Sequence, residues 1–459
     1  MRIALALLLI SNLRPTNLSK YWGGLCCQNT TLFGRWPCLS TVVDEPVICL
    51  EDIFLIHRGV AARDFDITRF PADFIDNPYP YYHALLQYEP VKWQSNDTVL
   101  ITRYEDLETV YKRAKIFSSD KKAEFRPKFG NTLTYEHHTT SMVFNDPPLH
   151  TQVRRTIQGA LTPRAIALME PNLIRLVDDL LDKAEEAGNL DIVADFASAI
   201  PVEVIGNLLR MPHEDRGSLR DWSLAILGAL EPVISNEQLE ASNQAVKDFL
   251  DYLEKLIIHR RANLGDPDVD VLSRLIVGEA NGEKLGALEL MHNCIFLLNA
   301  GHETTTNLIG NGLMALLEWP DERARLLEQP ELIHSAVDEF LRFESSNQLG
   351  NRRAAQDTEI GGVLIPSDTL ITLAIGAANR DPRKFEEPDR LDIRRSPNRH
   401  LGFASGPHLC LGHGLARLEG SIAIGRFVTR FPNYEVGGEV IRGGRVRFRG
   451  YSRAPVITN

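Results

Sequence analysis

The chain has 459 residues, of which 44% are hydrophobic and 24% are charged, and its net charge is −11. These proportions are ordinary for a globular protein, so they exclude a disordered chain and a membrane-embedded bundle. A mildly acidic chain lacks the basic footprint of a general nucleic-acid-binding protein, so we expect no nucleic-acid partner. Since no Pro/Gly/Ser-rich linker divides the chain, we expect one large domain despite the length.

The first 62 residues differ in composition from the rest. An apolar run at residues 3–10 is far too short to span a bilayer, so we expect no stable membrane insertion. The cysteines of this stretch are Cys26, Cys27, Cys38 and Cys49, and the remaining chain has only Cys294 and Cys410. We predict that residues 1–62 are an N-terminal extension, either a weak signal-like segment or the product of a misplaced start. Residues 63–459 would then form the functional domain.

From residue 64 onward, the sequence pattern predicts an orderly series of elements. A helix is expected up to about Tyr88, followed by short strands at 91–93 and 99–102 that Asn96 and Asp97 connect as a hairpin turn. Residues 150–350 show the period of amphipathic helices, interrupted by turn signals. After Glu359, short strands and an irregular Pro- and Arg-rich stretch precede a last long helix. The predicted fold class is mainly α with small β-sheets.

One predicted helix, residues 288–318, has a polar centre between apolar flanks. It contains no proline before Pro320 and is long enough to cross a whole domain. Its middle, residues 300–306, reads Ala-Gly-His-Glu-Thr-Thr-Thr. Buried polar groups need partners or a purpose, so this segment indicates a functional site.

A second candidate segment opens the last helix. Residues 403–412 read Phe-Ala-Ser-Gly-Pro-His-Leu-Cys-Leu-Gly. Glycines allow a backbone to approach a flat ligand closely, and a helix N-terminus favours the thiolate form of a cysteine such as Cys410. Two alternatives remain at this point: Cys410 could be an inert core residue, or it could join His408 and His413 in a zinc site. No fourth zinc ligand is evident nearby.

This loop resembles the cysteine loop of the cytochrome P450 superfamily, and residues 300–305 resemble the oxygen-activation segment of the same family. The resemblance covers residues from about 65 to 459 and looks like the soluble bacterial branch. The loop departs from the family pattern at Ala404, where glycine is usual, and we expect the methyl group to be tolerated. The resemblance implies a cytochrome P450 fold with haem b between the long distal helix and the cysteine-loop helix.

The resemblance also implies roles for individual residues. Cys410 would be the axial ligand of the haem iron, Ala300 would lie against the haem, and Glu303 and Thr304 would be the catalytic pair that delivers protons. A threonine at 304 can also bond to the carbonyl of Ala300 and, with Gly301, open a pocket for oxygen. A mid-helix threonine that merely satisfies itself on its own backbone is the alternative.

Further residues are implied around the haem. The side chains expected to hold its propionates are His150, Arg154, Arg352 and His408. Arginine suits a carboxylate through its planar fork, and Arg155 and Arg353 are the rivals of their neighbours. The residues expected to form a buried structural triad are Glu339, Arg342 and Arg390.

By resemblance, the function is that of a haem-thiolate monooxygenase that inserts one atom of dioxygen into a small apolar substrate. We expect electrons from a separate ferredoxin-type donor with its reductase, because no flavin or iron–sulfur segment follows the haem domain. Its docking patch would draw on Arg154, Arg155, Arg394, Arg395, Arg399 and Arg417. A peroxide-driven enzyme and a haem carrier or sensor are the alternatives. We expect a cytoplasmic location, since a thiolate suits a reducing compartment.

The same resemblance assigns segments to the substrate pocket without identifying the substrate. They are residues 120–145, Leu297, Ala300, residues 345–350 and the neighbourhood of Arg449.

Overall fold

In the computed structural model, the described residues are 59–159, 161–267, 270–280 and 285–458. Most of the predicted N-terminal extension, residues 1–58, lies outside these ranges, so its status stays a prediction. Within the described ranges the chain is mainly helical with small sheets, which confirms the predicted fold class. None of the helices in these ranges combines the length and the apolar composition that crossing a bilayer requires.

The helices cover most of the described residues. In chain order the α-helices are α1 (Tyr79–Tyr88), α2 (Tyr104–Lys112), α3 (Lys122–Phe129), α4 (Leu133–Thr140), α5 (Leu149–Gln158), α6 (Pro163–Ala187), α7 (Ala199–Leu208), α8 (Leu219–Gly228), α9 (Asn236–Ala262), α10 (Val271–Ala280), α11 (Ala287–Glu318), α12 (Pro320–Glu328), α13 (Ile333–Phe343), α14 (Ile375–Ala378) and α15 (His413–Arg430). A π-helix (Ile192–Ala197) precedes α7, and a 3-10 turn (Gly406–His408) precedes α15.

The strands are short and form small sheets. They are β1 (Val91–Trp93), β2 (Val99–Ile101), β3 (Phe117–Ser118), β4 (Asn189–Asp191), β5 (Leu349–Ala354), β6 (Thr358–Ile360), β7 (Val363–Ile365), β8 (Leu370–Ala374), β9 (Glu435–Val436), β10 (Ile441–Arg442), β11 (Tyr451–Arg453) and β12 (Pro455–Ile457). The largest sheet has the order β1-β2-β8-β5-β3, with β2 and β8 parallel. Val91 pairs with Ile101 across the predicted hairpin, and Asp97 adopts a positive φ in its turn.

The long helix α11 runs through the main hydrophobic core. Its bounds agree with the prediction because Pro320 cannot continue it and because the Glu289 side chain accepts a hydrogen bond from the Gly286 amide at its start. At 1.5 Å per residue its 32 residues span about 48 Å. Helices α7, α8, α9, α13 and α15 pack against it.

Gly312 shows how closely these helices approach. A Cβ at this position would lie 2.7 Å from Ile424 Cδ1 in α15 and 2.9 Å from Phe340 Cδ2 in α13. Only a glycine lets both helices cross α11 here without a shift. The crossing brings the helix with the polar centre and the helix that follows the cysteine loop into one packed unit.

Candidate active site

The cysteine loop folds as a sequence of tight turns between residue 401 and α15. Cys410 donates its backbone N–H to the Phe403 carbonyl at 2.9 Å, and the Leu409 amide bonds to the Gly406 carbonyl at 3.0 Å. Gly406 has a positive φ, and a Cβ there would clash with the Tyr111 carbonyl at the end of α2. The loop therefore needs glycine at 406 to lie against α2.

Ala404 has a φ of 58°, in the left-handed region that glycine adopts without strain. This explains why the family pattern has glycine here. Alanine in this region costs roughly 1–2 kcal/mol, which a large domain tolerates. The loop keeps its hydrogen bonds, including that from the Ala404 amide to the Leu401 carbonyl at 2.8 Å.

The thiol of Cys410 lies half-buried, and its pKa is raised overall above the ordinary value of a thiol. Burial raises its pKa, while the Gly412 amide and the cations of Arg154 and Arg417 lower it. Among the described residues, no group of three or more His, Cys, Asp or Glu side chains is placed to hold a metal ion. The zinc alternative for His408 and Cys410 therefore has no support in this part of the chain.

Four basic side chains from three parts of the chain converge near Cys410. His150 and Arg154 lie one turn apart on α5, Arg352 comes from β5, and His408 comes from the cysteine loop. The rings of His150 and His408 lie 3.9 Å apart between centroids. The sequence resemblance named all four, and the structure brings them together.

The charges in this cluster have no acidic partner in direct contact among the described residues. Arg352 donates to the Asn351 carbonyl at 2.7 Å and lies over the Tyr111 ring. The buried Nε2 of His150 has no hydrogen-bond partner in the part of the chain that the structure describes. Burial, followed by Arg352 and the other cations, lowers the pKa of His408 to about 2. An unpaired basic cluster of this kind fits an anionic ligand.

The rival arginines point elsewhere. Arg353 pairs with Asp368 in a salt bridge, and Arg155 is exposed to solvent. By contrast, Arg352 is 8% exposed and Arg154 lies close enough to Cys410 to interact with its charge. The geometry therefore favours Arg352 and Arg154 over their neighbours.

The polar centre of α11 presents its residues in different directions. Ala300 is exposed and Thr304 is half-buried, and the Thr304 hydroxyl donates to the Ala300 carbonyl at 2.7 Å. The hydrogen bond expected from the sequence is present, although α11 continues through it as a regular helix. Gly301 instead faces α7, where a Cβ would lie 2.8 Å from Ile205 Cδ1.

Glu303 is buried and paired with a cation that the sequence did not identify. Arg445 Nη1 lies 2.8 Å from Oε1 and 2.6 Å from Oε2 of Glu303. Burial raises the pKa of Glu303 to about 7, although Arg445 lowers it, and the nearby Glu231 raises it further. The partners are 142 positions apart in sequence, and several other arginines lie near Arg445, so the sequence alone does not reveal the pair.

His302 is a further buried polar residue at the centre of α11. It is 1% exposed, and neither ring nitrogen has a hydrogen-bond partner among the described residues. Burial, with Arg220 and Arg445 nearby, lowers its pKa to about 4, so it is neutral at physiological pH.

The structural triad contains a different third member from the one predicted. Arg342 forms two 2.8 Å hydrogen bonds with Glu339, and both side chains are fully buried. The side chain of Arg390 is 50% exposed and pairs with Glu387, so Arg390 contributes its backbone carbonyl, which accepts from Arg342 and Arg395. The prediction of Arg390 is wrong in this respect.

Arg395 occupies the predicted place. Its Nε lies 3.2 Å from both oxygens of Glu339, and its side chain is 12% exposed. Arg395 is thus removed from the set of arginines available for docking. Arg449, expected near the substrate, is 4% exposed and pairs with Glu344, so its own side chain stabilises the fold.

A sequence profile of the family described as Cytochrome P450 matches residues 87–436. The chain belongs to the cytochrome P450 family. It is 35% identical to the biotin biosynthesis cytochrome P450 of Bacillus subtilis (strain 168), over 79% of this chain and 91% of that protein. It is 37% identical to the vitamin D(3) 25-hydroxylase of Pseudonocardia autotrophica, over 84% of this chain and 95% of that protein.

The fold is also that of solved P450 structures. The crystal structure of P450BioI in complex with acyl carrier protein ligated to hexadec-9Z-enoic acid superposes with a TM-score of 0.79 and 34% identity. The match covers 84% of this chain and 99% of that one. The chain is therefore a cytochrome P450 monooxygenase, an oxidoreductase that acts on an organic substrate with dioxygen, and its cofactor is haem b.

The basic cluster fits this cofactor. Haem b carries two propionates, and the cluster offers imidazole and guanidinium N–H donors. The nearby Asp146 carboxylate accepts hydrogen bonds from the Ser118 hydroxyl and the Ser119 amide, and among the described residues it forms no salt bridge with the cluster. The unpartnered Nε2 of His150 is the observation that tests this fit, because a buried polar atom requires a partner.

Proposed function

We propose that Cys410 is the axial ligand of the haem iron and that His150, Arg154, Arg352 and His408 hold the propionates. The observation that carries this proposal is the convergence of four basic side chains beside the half-buried Cys410, none of which forms a salt bridge with a carboxylate of the described residues. Haem with a thiolate ligand supplies reductive activation of dioxygen and oxygen insertion into the substrate.

We also propose that Thr304 and Glu303 supply the protons that the reaction consumes. Thr304 lies one helical turn after the exposed Ala300, on the same face of α11. The hydrogen bond from the Thr304 hydroxyl to the Ala300 carbonyl fixes the hydroxyl oxygen on this face. The pKa of Glu303, about 7, lets its carboxyl both take up and release a proton near neutral pH. Glu303 would thus pass protons from the solvent side toward Thr304.

The carbon-monoxide difference spectrum of the reduced protein tests the role of Cys410. Wild type is expected to show the red-shifted Soret band of thiolate ligation, and Cys410→Ser is expected to lose it while retaining bound haem. A thiolate-type band that persists in Cys410→Ser would overturn the assignment. Cys294→Ser, which changes the buried cysteine of α11, is the matched control and should leave the band unchanged.

We infer that the substrate is a small apolar molecule. The relatives above are named for biotin biosynthesis and for hydroxylation of vitamin D(3), and the related crystal structure contains a sixteen-carbon acyl chain. A spectral titration with hexadec-9-enoic acid and with vitamin D(3) tests this inference. The inference would be contradicted if neither these two compounds nor other apolar candidates shifted the Soret band.

We infer further that a ferredoxin-type donor with its reductase supplies the electrons. Arg155, Arg394 and Arg399 are exposed, and Arg155 lies next to Arg154 on α5, close to the cysteine loop. Such cations attract an acidic donor to an otherwise acidic protein.

We also infer a cytoplasmic location, because reducing conditions keep a cysteine available as a thiolate. Recovery of the protein from a secreted fraction would contradict this location.

A further inference from the structure

The Arg445 guanidinium connects three elements above the polar centre of α11. It lies on the connection between β10 and β11, its Nη1 contacts both carboxylate oxygens of Glu303, and its Nη2 donates to the Leu224 carbonyl in α8 at 2.8 Å. The planar fork of arginine can make these contacts at the same time, which a lysine ammonium cannot do from one position. The carboxylate of Glu303 is thereby fixed relative to α8 and to the hairpin.

A second carboxylate fixes the hairpin itself. Glu231, which follows α8 and is 8% exposed, accepts hydrogen bonds from the Val446 amide at 2.9 Å and the Arg447 amide at 3.2 Å. The Arg447 side chain returns a bond to the Leu230 carbonyl at 2.9 Å. The two residues directly after Arg445 are thus hydrogen-bonded to residues 230 and 231, which follow α8.

The electrostatic setting makes Glu303 depend on Arg445. Among the described residues, Arg445 is the only side chain that donates a hydrogen bond to the Glu303 carboxylate. The other charged or titratable groups nearby are Glu231, which disfavours the carboxylate, and, next to it on α11, the neutral imidazole of His302 with Arg220 of α8 beside it. Without Arg445, a buried carboxylate would remain beside a second acid.

We propose that Arg445 is the positioning residue of Glu303, that it holds the carboxyl group in place for proton transfer, and that Glu231 holds Arg445. This inference rests on the proposed proton-transfer role of Glu303. Arg445 acts only through Glu303, because a guanidinium does not release its proton in the pH range of proteins.

The first test is an infrared titration of the haem-loaded protein, which does not depend on turnover. The carbonyl stretch of the protonated Glu303 carboxyl is the band that Glu303→Gln removes. We expect Arg445→Gln to move the midpoint of this band upward by about 1–3 pH units, because the favourable charge is lost. Arg453→Gln removes the same charge from an exposed position on β11 and should leave the midpoint unchanged.

The second test is the yield of product per electron pair. We expect a several-fold loss in Arg445→Gln, with the missing electrons recovered as hydrogen peroxide, and a smaller loss in Glu231→Gln. Arg445→Lys keeps the positive charge but loses the planar guanidinium. We therefore expect a titration midpoint of Glu303 close to that of the wild type, together with a lower yield of product per electron pair. Full coupling in Arg445→Lys would overturn the positioning role.

The two proposals fail in different ways. If Glu303→Gln leaves coupling and its pH profile unchanged, the proton-transfer role of Glu303 is wrong. If Glu303→Gln reduces coupling while Arg445→Gln moves neither the midpoint nor the coupling, Glu303 transfers protons but Arg445 does not position it. Should Arg445→Gln fail to incorporate haem, Arg445→Lys decides by coupling: a loss of coupling supports the positioning role, and full coupling overturns it.

Discussion

Thr304 and Glu303 are neighbours in sequence, but their side chains contact different groups. Thr304 bonds to the Ala300 carbonyl, whereas Glu303 bonds to Arg445. The two residues are therefore separable by mutation. Loss of the Thr304 hydroxyl leaves the Glu303–Arg445 pair in place, so its effect on coupling reports the hydroxyl alone.

We expect Thr304→Ala to reduce product per electron pair by roughly tenfold or more, with the electrons lost as peroxide. Thr304→Ser keeps the hydroxyl and should keep most of the coupling. The measurement is product and peroxide formed per electron pair consumed. Because a peroxide-driven enzyme would not need this hydroxyl, equal coupling in wild type and Thr304→Ala would favour that alternative.

Buried Glu419 in α15 gives a prediction at the scale of one helix. It is 3% exposed, its Oε2 has no hydrogen-bond partner within the described ranges, and burial raises its pKa to about 8. In the unfolded chain the pKa is near 4.5, so the folded state binds the extra proton between these values. This contribution to stability is complete below pH 4.5 and is lost as the pH rises through 8.

We therefore expect the wild type to lose stability relative to Glu419→Gln as the pH increases from 4.5 to 8. The shift between these pKa values sets an upper bound of about 5 kcal/mol on the change. Urea unfolding at several pH values measures the difference. Glu186→Gln, which removes an exposed carboxylate on α6, should show no comparable trend, and a parallel trend in both variants would contradict the prediction.

Arg395, in the segment before the cysteine loop, forms an ion pair with Glu339 of α13 and so joins these two parts of the chain. Removing it takes one of two cationic partners from the fully buried Glu339, which costs about 1–3 kcal/mol when Arg342 remains. We expect Arg395→Gln to lower the free energy of unfolding by this amount. Arg390→Gln should have little effect, and the reverse order in chemical unfolding would restore the sequence-based assignment.

The elements themselves were largely predictable from local signals. Pro320 and the apolar periodicity set the end of α11, and Asn96 with Asp97 marked the β1–β2 turn. Arg445 and Arg395 were not identified as partners of Glu303 and Glu339, because contacts 142 and 56 residues apart leave no local signal. The sequence contains many arginines, and only the three-dimensional fold determines which of them contacts a buried carboxylate.

At the scale of the whole molecule, the resemblance predicted the family, the cofactor and the reaction class because its motifs occur in the family order. The set of docking arginines was less predictable, since an arginine serves a surface or a buried pair equally well in sequence. Arg395 belongs to the buried triad, and Arg417 bonds to Asp338 at 2.8 Å and lies over the Phe403 ring of the cysteine loop. Arg155, Arg394 and Arg399 remain as exposed cations.

The net charge of −11 makes the local placement of these cations decisive for an acidic electron donor. If the donor is an acidic ferredoxin, as proposed, overall repulsion would slow its approach, and a positive surface near Cys410 would guide it. We expect Arg155→Glu to slow reduction by a ferredoxin and to flatten the dependence of the rate on ionic strength. Arg69→Glu changes the charge equally at an exposed position in the N-terminal segment and should alter the rate less. Stopped-flow reduction at about 50–500 mM salt, where the Debye screening length falls from roughly 14 to roughly 4 Å, measures both effects. Equal rates and slopes in the two variants would show that the donor does not dock beside α5.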